Sequence, residues 1–208
     1  MPRTKDSADI PNRLLKAGRD LFWRDGYNAT GILQITETAG VPKGSFYNHF
    51  PSKEAFAVAV IGQYGDHLQR SWDAMVAAAP PGAQATIAHV FNEMIAWHER
   101  APDRPGCLMG NLAAEITLSS DLCREALQTA HLAWRGRLAG LIREGQDKGE
   151  LRRDLPAGLL SGLIWDAWEG ALLRMKLERS AEPVRQSMTL LLGQLLWPHH
   201  QADPHRAA

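Results

Sequence analysis

Between Pro42 and Phe50 the chain carries Lys43, Gly44, Ser45, Tyr47, Asn48 and His49: an ammonium, hydroxyls, an amide and an imidazole within about two helical turns. Phe46 and Phe50 lie one turn apart and face inward, which leaves the polar set outward. Lys43 and His49 can meet phosphates, Ser45 and Asn48 can reach phosphates or base edges, and Tyr47 joins an apolar ring to a donor hydroxyl. Gly44 lets the backbone come close to a surface. This is the chemistry of groove recognition on duplex DNA. A merely solvated face is the plainer alternative, but an exposed Tyr together with Gly on a short helix serves solubility poorly.

A thiol offers a second chemistry. Cys107 stands near the start of a short helix, where the macrodipole favours thiolate and a nearby ammonium would add to the effect, so alkylation or oxidation would be fast. The competing reading is an inert small core residue. Cys123, among Leu122, Arg124 and Glu125, has no supporting base and reads as core or surface. Trp97, Trp134, Trp165 and Trp168 can line an apolar cavity, with Asn111, Glu169, Arg174 and Lys176 as polar anchors; Arg174 or Lys176 suits a carboxylate-bearing ligand. Each Trp alone equally fills a helical core, and Glu169, Arg174 and Lys176 can instead form salt bridges at a subunit contact. An enzyme acting on electrophiles through Cys107 would need an oriented base, and His89, His98 and His131 show no such arrangement. The chain therefore reads as a non-enzyme, with no catalytic residue, metal or cofactor called for. A helical adaptor without DNA affinity is a third reading, and it predicts that Lys43→Ala and Tyr47→Ala leave function intact.

These residues need helices to place them. A first helix is expected from about Ile10 to Asp25, with Leu14, Leu15, Ala17, Leu21 and Phe22 buried and Gly26 as its stop. Ile32, Ile35 and Ala39 recur at helical spacing, Gly40 permits a sharp turn, Val41 plugs it, and Pro42 opens the next helix. Ser52 caps a long helix through Ala55, Phe56, Ala59, Val60 and Tyr64. Beyond Pro80, Pro81 and Gly82, Ile87, Val90, Phe91, Met94, Ile95 and Trp97 mark a further helix ending at the loop of Pro102 and Pro105. Gly106 to about Leu118 forms a short helix, Ser119 or Ser120 caps a long one toward Gly149, and Pro156 opens another. Apolar segments Leu159 to Leu177 and Val184 to Trp197 follow. Leu159, Leu160, Leu163, Ile164, Trp165, Trp168, Leu172 and Leu173 run almost all round the first, and Leu190, Leu191, Leu192, Leu195 and Leu196 show the same excess. Paired helices from two subunits would absorb it, with burial inside one chain as the alternative.

The N-terminal pattern resembles the TetR family of transcriptional repressors. The residues that carry it are Gly26-Tyr27, Ala29-Thr30, Ala39-Gly40-Val41, Lys43-Gly44-Ser45-Phe46-Tyr47, His49-Phe50 and Lys53-Glu54, roughly the first quarter of the chain. The resemblance implies an all-α fold: a three-helix helix-turn-helix DNA-binding domain over 8–54, a larger helical effector-binding and dimerisation domain over 55–198, and a flexible tail over 199–208. It also implies DNA contacts from Thr30, Gly31 and Lys53, and a homodimer that leaves a palindromic operator when a small molecule binds. Arg104 to Glu115 and Trp165 to Leu177 are similar to the family's electrophile-responsive members, including the N-ethylmaleimide- and acrylate-responsive regulators. There the residues matching Cys107 and Lys176 form the sensing pair.

Composition bounds the rest. The 208 residues can hold a small domain joined to a larger one, and the net charge is 0, so only the distribution of charge matters. Arg3, Lys5, Arg13, Lys16, Arg19, Arg24, Lys43 and Lys53 give the N-terminal stretch a modest positive field over Asp6, Asp9, Asp20, Asp25 and Glu37. Two cysteines and no N-terminal apolar run predict a cytoplasmic protein rather than a disulfide scaffold, and no apolar stretch nears the roughly 20 residues of a membrane span. Two-fold symmetry would set two recognition helices about 34–36 Å apart, matching successive major grooves.

Overall fold

The computed structural model describes residues 9–101 and 106–197; the expected tail and the loop of Pro102 and Pro105 lie outside them. Among the described residues every regular element is helical. In chain order these are α1 (Ile10–Asp25), α2 (Ile32–Ala39), α3 (Lys43–Tyr47), α4 (Lys53–Ala78), α5 (Ala83–Arg100), α6 (Leu108–Ile116), α7 (Asp121–Asp147), α8 (Ala157–Glu178) and α9 (Glu182–Leu190), followed by a π-helical turn (Leu191–Leu195). None of these helices is long and apolar enough to cross a membrane.

The chain divides into two compact units. The first comprises residues up to Ser71 together with Ala101–Leu132, and the second comprises Trp72–Arg100 with the residues from Ala133 onward. Both α4 and α7 contribute to each unit.

In the first unit α1 buries Leu14, Ala17, Leu21, Phe22 and Trp23, while Leu15 is half-buried. Phe56 of α4 is the hub: its ring lies 5.9 Å from Phe22, 5.1 Å from Phe46 and 4.9 Å from Phe50. Gly18 permits this approach of α1 and α4, because a Cβ there would run into the Phe56 ring. Ser52 caps α4 as expected, accepting the Ala55 N–H at 3.0 Å. Of the two candidate caps for α7, Ser120 does the work: its Oγ accepts the Cys123 N–H at 3.0 Å and donates to Glu54.

The second unit is built on α5, α8 and α9 with the ends of α4 and α7. Trp72, Trp134 and Trp165 form one ring cluster, with centroids 5.0 and 5.5 Å apart, and Phe91 meets Trp168 at 5.4 Å. Much of the apolar excess on α8 is consumed here, since Leu160, Ile164, Trp165, Trp168 and Leu172 are buried within the unit. Leu159, Leu163 and Leu173 remain outward at 49%, 44% and 58% exposure. The segment Val184 to Trp197 is not one continuous α-helix: α9 gives way to the π-turn after Leu190. Leu196 beyond the turn points inward and is buried, so it is core rather than contact surface.

Candidate nucleic-acid interface

The turn between α2 and α3 follows from local rules. Gly40 takes a left-handed conformation (φ 64°), and its N–H and that of Val41 donate to Glu37 O at 3.0 Å and Thr36 O at 2.9 Å. Carbonyls left over at the end of α2 are met from α1: Arg13 donates through Nε at 3.1 Å and Nη2 at 2.6 Å to Ala39 O, and through Nη2 at 2.8 Å to Gly40 O. Arg13 is thereby committed to fixing the turn. Pro42 sits in extended backbone as the residue before α3, its ring compatible with a helix start.

Phe46 anchors α3 completely, with no exposed surface, against Phe50, Phe56 and Tyr47. Around that anchor Lys43, Gly44, Tyr47, Asn48 and His49 are exposed, and Ser45 is half-buried. Tyr47 holds 55% of its surface in solvent although it is aromatic. A Cβ at Gly44 would meet nothing within 4 Å, so the backbone there is open to close approach. Five of the six groups read as groove-facing thus share one accessible surface, held by one buried ring.

Two other expected DNA contacts are placed differently. Thr30 is buried, and its hydroxyl donates to Gly26 O at 2.7 Å, so its side chain braces the segment before α2 rather than facing out. Lys53 is half-buried: its Nζ donates to Tyr27 O at 2.6 Å and stands 4.2 Å from the Tyr27 ring centre. Burial pushes the Lys53 ammonium below its ordinary pKa, with Glu115 acting in the opposite sense. Gly31 is exposed at the start of α2 with open space around it.

One further residue of the head lies far away in sequence. Glu115 of α6 accepts the backbone N–H of Asn28 at 2.9 Å. Gly26, in a positive-φ conformation (φ 84°), lies so near that a Cβ there would collide with the Glu115 carboxylate. A separation of 87 residues leaves no local signal for such a clasp.

The residues expected to bind or sense an effector fall into both units. Cys107 is half-buried directly before α6, its carbonyl accepting the Asn111 N–H at 2.9 Å, and Asn111 is half-buried on the first turn. Cys123 is fully buried, and desolvation pushes its thiol above the ordinary value. In the second unit the structure brings Trp134 and Trp165 together, whereas Trp168 joins Phe91 and His98, the latter at 5.8 Å. Glu169 and Lys176 are half-buried on α8. Arg174 is a surface residue paired with Glu178 at 3.0 Å. Two buried ring nitrogens, Trp134 Nε1 and His98 Nδ1, have no hydrogen-bond partner among the described residues. Burial lowers the His98 pKa to about 4, keeping the imidazole neutral near pH 7.

Comparison with known proteins accords with this geometry. Residues 14–60 match the bacterial regulatory proteins of the tetR family, and residues 82–191 match the tetracyclin repressor-like C-terminal domain. The chain belongs to the TetR family. It is 38% identical over 187 residues to the HTH-type transcriptional repressor DhaR of Mycobacterium sp. strain GP1, covering 90% of this chain and 92% of that protein. It is 35% identical over 196 residues to the transcriptional regulator AcuR of Cereibacter sphaeroides, covering 92% and 88%. Among solved structures, the regulatory protein TetR from Rhodobacter sphaeroides superposes with a TM-score of 0.82 at 32% identity, covering 89% of this chain and 98% of that one. The chain is accordingly a DNA-binding transcriptional regulator, and TetR regulators bind operator DNA and small-molecule effectors as dimers.

Proposed function

We propose that this TetR regulator is a homodimeric repressor that occupies a palindromic operator in the cytoplasm and leaves it when an electrophilic or carboxylate-bearing small molecule engages the effector domain. The observation that carries the reading is the exposed polar face of α3 around the buried Phe46, with Tyr47 held out in solvent. Lys43 and His49 supply phosphate contacts, Ser45, Tyr47 and Asn48 face the bases, and Gly31, Gly44 and the Lys53 region approach the backbone. The names of the Mycobacterium and Cereibacter relatives, a repressor and a regulator, support the same class.

The dimer contact is assigned to α8 with α9. Leu159, Leu163, Asp166, Gly170, Leu173 and Leu177 repeat at alternating spacings of three and four, so they form one stripe, and all are exposed. A Cβ at Gly170 would meet nothing within 4 Å, which leaves room for a second helix to cross closely there. Leu190 of α9 adds a further apolar group at 63% exposure.

Release is assigned to α6. Cys107 precedes its first residue and Glu115 lies eight positions on, about 12 Å along the axis. A covalent adduct at Cys107 would displace α6, and Glu115 would carry the movement to Asn28 just before the helix-turn-helix. Asn111 goes with Cys107 on α6. Trp134, Trp165, Trp168 and Glu169 are the effector contacts of the second unit, where the unpartnered Trp134 and His98 nitrogens are the kind of groups a ligand would satisfy.

The experiment is sedimentation of the protein with a duplex from its own promoter. Two chains bound to one duplex, dissociating after stoichiometric treatment with N-ethylmaleimide, supports the proposal; a bound monomer, or a complex indifferent to the reagent, removes the dimer or the sensing step respectively.

A further inference from the structure

Within the second unit, α5, α9 and the π-turn enclose a cleft of about 350 Å³ that no step above uses. That is the lower end of the range for small organic ligands. Its floor is apolar and buried, formed by Ile87, Ile95, Met188 and Leu196. Its rim is polar, with Asn92 from α5 and Arg185 and Thr189 from α9.

The π-turn explains why space is left here. A turn closed by i to i+5 bonds carries an extra residue and shifts everything after it out of α-helical register. Gly193, inside the turn, lines the cleft, and a Cβ there would meet nothing within 4 Å. The end of the turn is fastened from outside: the Arg152 N–H donates to Leu196 O at 3.0 Å, and Arg152 Nη1 donates to Leu195 O at 3.3 Å. The walls are therefore held in place.

Arg185 decides the ligand chemistry. Its Nε, at 3.0 Å, and its Nη2 both donate to a single oxygen of Glu99, Oε1. No hydrogen bond among the described residues uses Nη1, which stays available on a half-exposed side chain at the rim. An apolar floor beneath a cation, an amide and a hydroxyl suits a molecule with a greasy tail and an anionic head. The tail displaces water from Ile87, Ile95, Met188 and Leu196, while the head meets Arg185 where solvent still reaches it, so little desolvation is charged against the ion pair.

We propose that this cleft is a binding site for a small aryl- or alkyl-carboxylic acid. It shares no residue with the tryptophan clusters. Leu190 stands about 140° around α9 from Arg185, so the cleft and the assigned dimer stripe use different sides of that helix. By joining α5 to α9, an occupant would restrain the helix that carries part of the subunit contact.

The test is a titration of the full-length, ¹⁵N-labelled protein with sodium 3-phenylpropanoate and, in parallel, with 3-phenylpropan-1-ol. Amide shifts should concentrate at Gly193, Thr189 and the Asn92 side chain. Arg185→Gln should weaken the acid about fivefold or more while leaving the alcohol nearly unchanged. Gly193→Leu, which fills the cleft from an open backbone position, should weaken both about tenfold. Ala88→Phe, at another lining position, is the second blocking variant should Gly193→Leu lose its helical circular dichroism. Shifts confined to other residues, equal losses for acid and alcohol in Arg185→Gln, or acid binding indifferent to both blocking variants would each overturn the proposal. Shifts of the cleft residues on dilution without ligand would also overturn it, assigning the cleft to a second copy of the chain.

Discussion

Glu115 of α6 accepts the backbone N–H of Asn28 at 2.9 Å, tying the helix that begins after Cys107 to the segment that leads into the recognition unit. The acceptor is a carboxylate and the donor has no helical partner, so the bond has the charge-assisted character that resists small displacements. Glu115→Ala should lower operator affinity about fivefold and shrink the effect of N-ethylmaleimide on that affinity to a few-fold at most, read by fluorescence anisotropy. Glu115→Gln keeps an acceptor oxygen and should lie between. An inducer response of full size in Glu115→Ala would separate α6 from release.

Cys107 is half-buried and Cys123 is buried with its thiol held protonated, so the two should differ in reactivity. Brief treatment with N-ethylmaleimide should add one equivalent, located at Cys107 by peptide mass spectrometry. Cys107→Ser should bind DNA normally and ignore the reagent. Modification at Cys123 first would contradict the assignment.

His98 makes stability depend on pH. Its folded pKa of about 4 lies below the unfolded value near 6.5, so between those values the unfolded chain binds a proton that the folded chain refuses. Stability is whole above pH 6.5 and falls as pH drops toward 4, by on the order of 3 kcal/mol. His98→Phe, which keeps a ring beside Trp97 and Trp168, should flatten that part of the curve in urea melts at pH 7, 5.5 and 4.5. Parallel curves for the two proteins would show that His98 does not titrate this way.

The stripe on α8 predicts oligomeric state. Leu173→Glu places a charge on a leucine that is 58% exposed, so the monomer should keep its helicity while dimerisation weakens about a hundredfold or more. Sedimentation at micromolar concentration reads this. A Leu173→Glu protein that sediments as a dimer would move the contact elsewhere.

What was legible in the sequence was whatever local rules decide. The run Ala39-Gly40-Val41-Pro42 specifies a left-handed cap followed by a helix start, Ser52 specifies a cap, and the spacing of Phe46 and Phe50 specifies which side of α3 is buried. The three-helix head was therefore readable almost residue by residue. The family resemblance implies DNA contacts from Thr30 and Lys53, yet both side chains are used inward: Thr30 on Gly26 O and Lys53 on Tyr27 O. Arg13 counted toward a positive field and proves to cap α2. These outcomes depend on backbone carbonyls brought near by tertiary packing, which residue spacing does not reveal. The Glu115 clasp and the π-turn after Leu190 were illegible for the same reason, since Arg152 and Leu196 meet only in the folded unit.

Recognition of DNA by the outward face of α3 has a direct test. Anisotropy should be measured with a duplex from the protein's own promoter and with a random duplex of equal length, across a salt series, for the unaltered chain, Lys43→Ala and Tyr47→Ala. The expected result is a clear preference for the promoter, a loss of affinity in both variants, and a salt slope reduced by about one in Lys43→Ala. Equal affinity for the two duplexes, or alanine variants that bind like the unaltered chain, would contradict it.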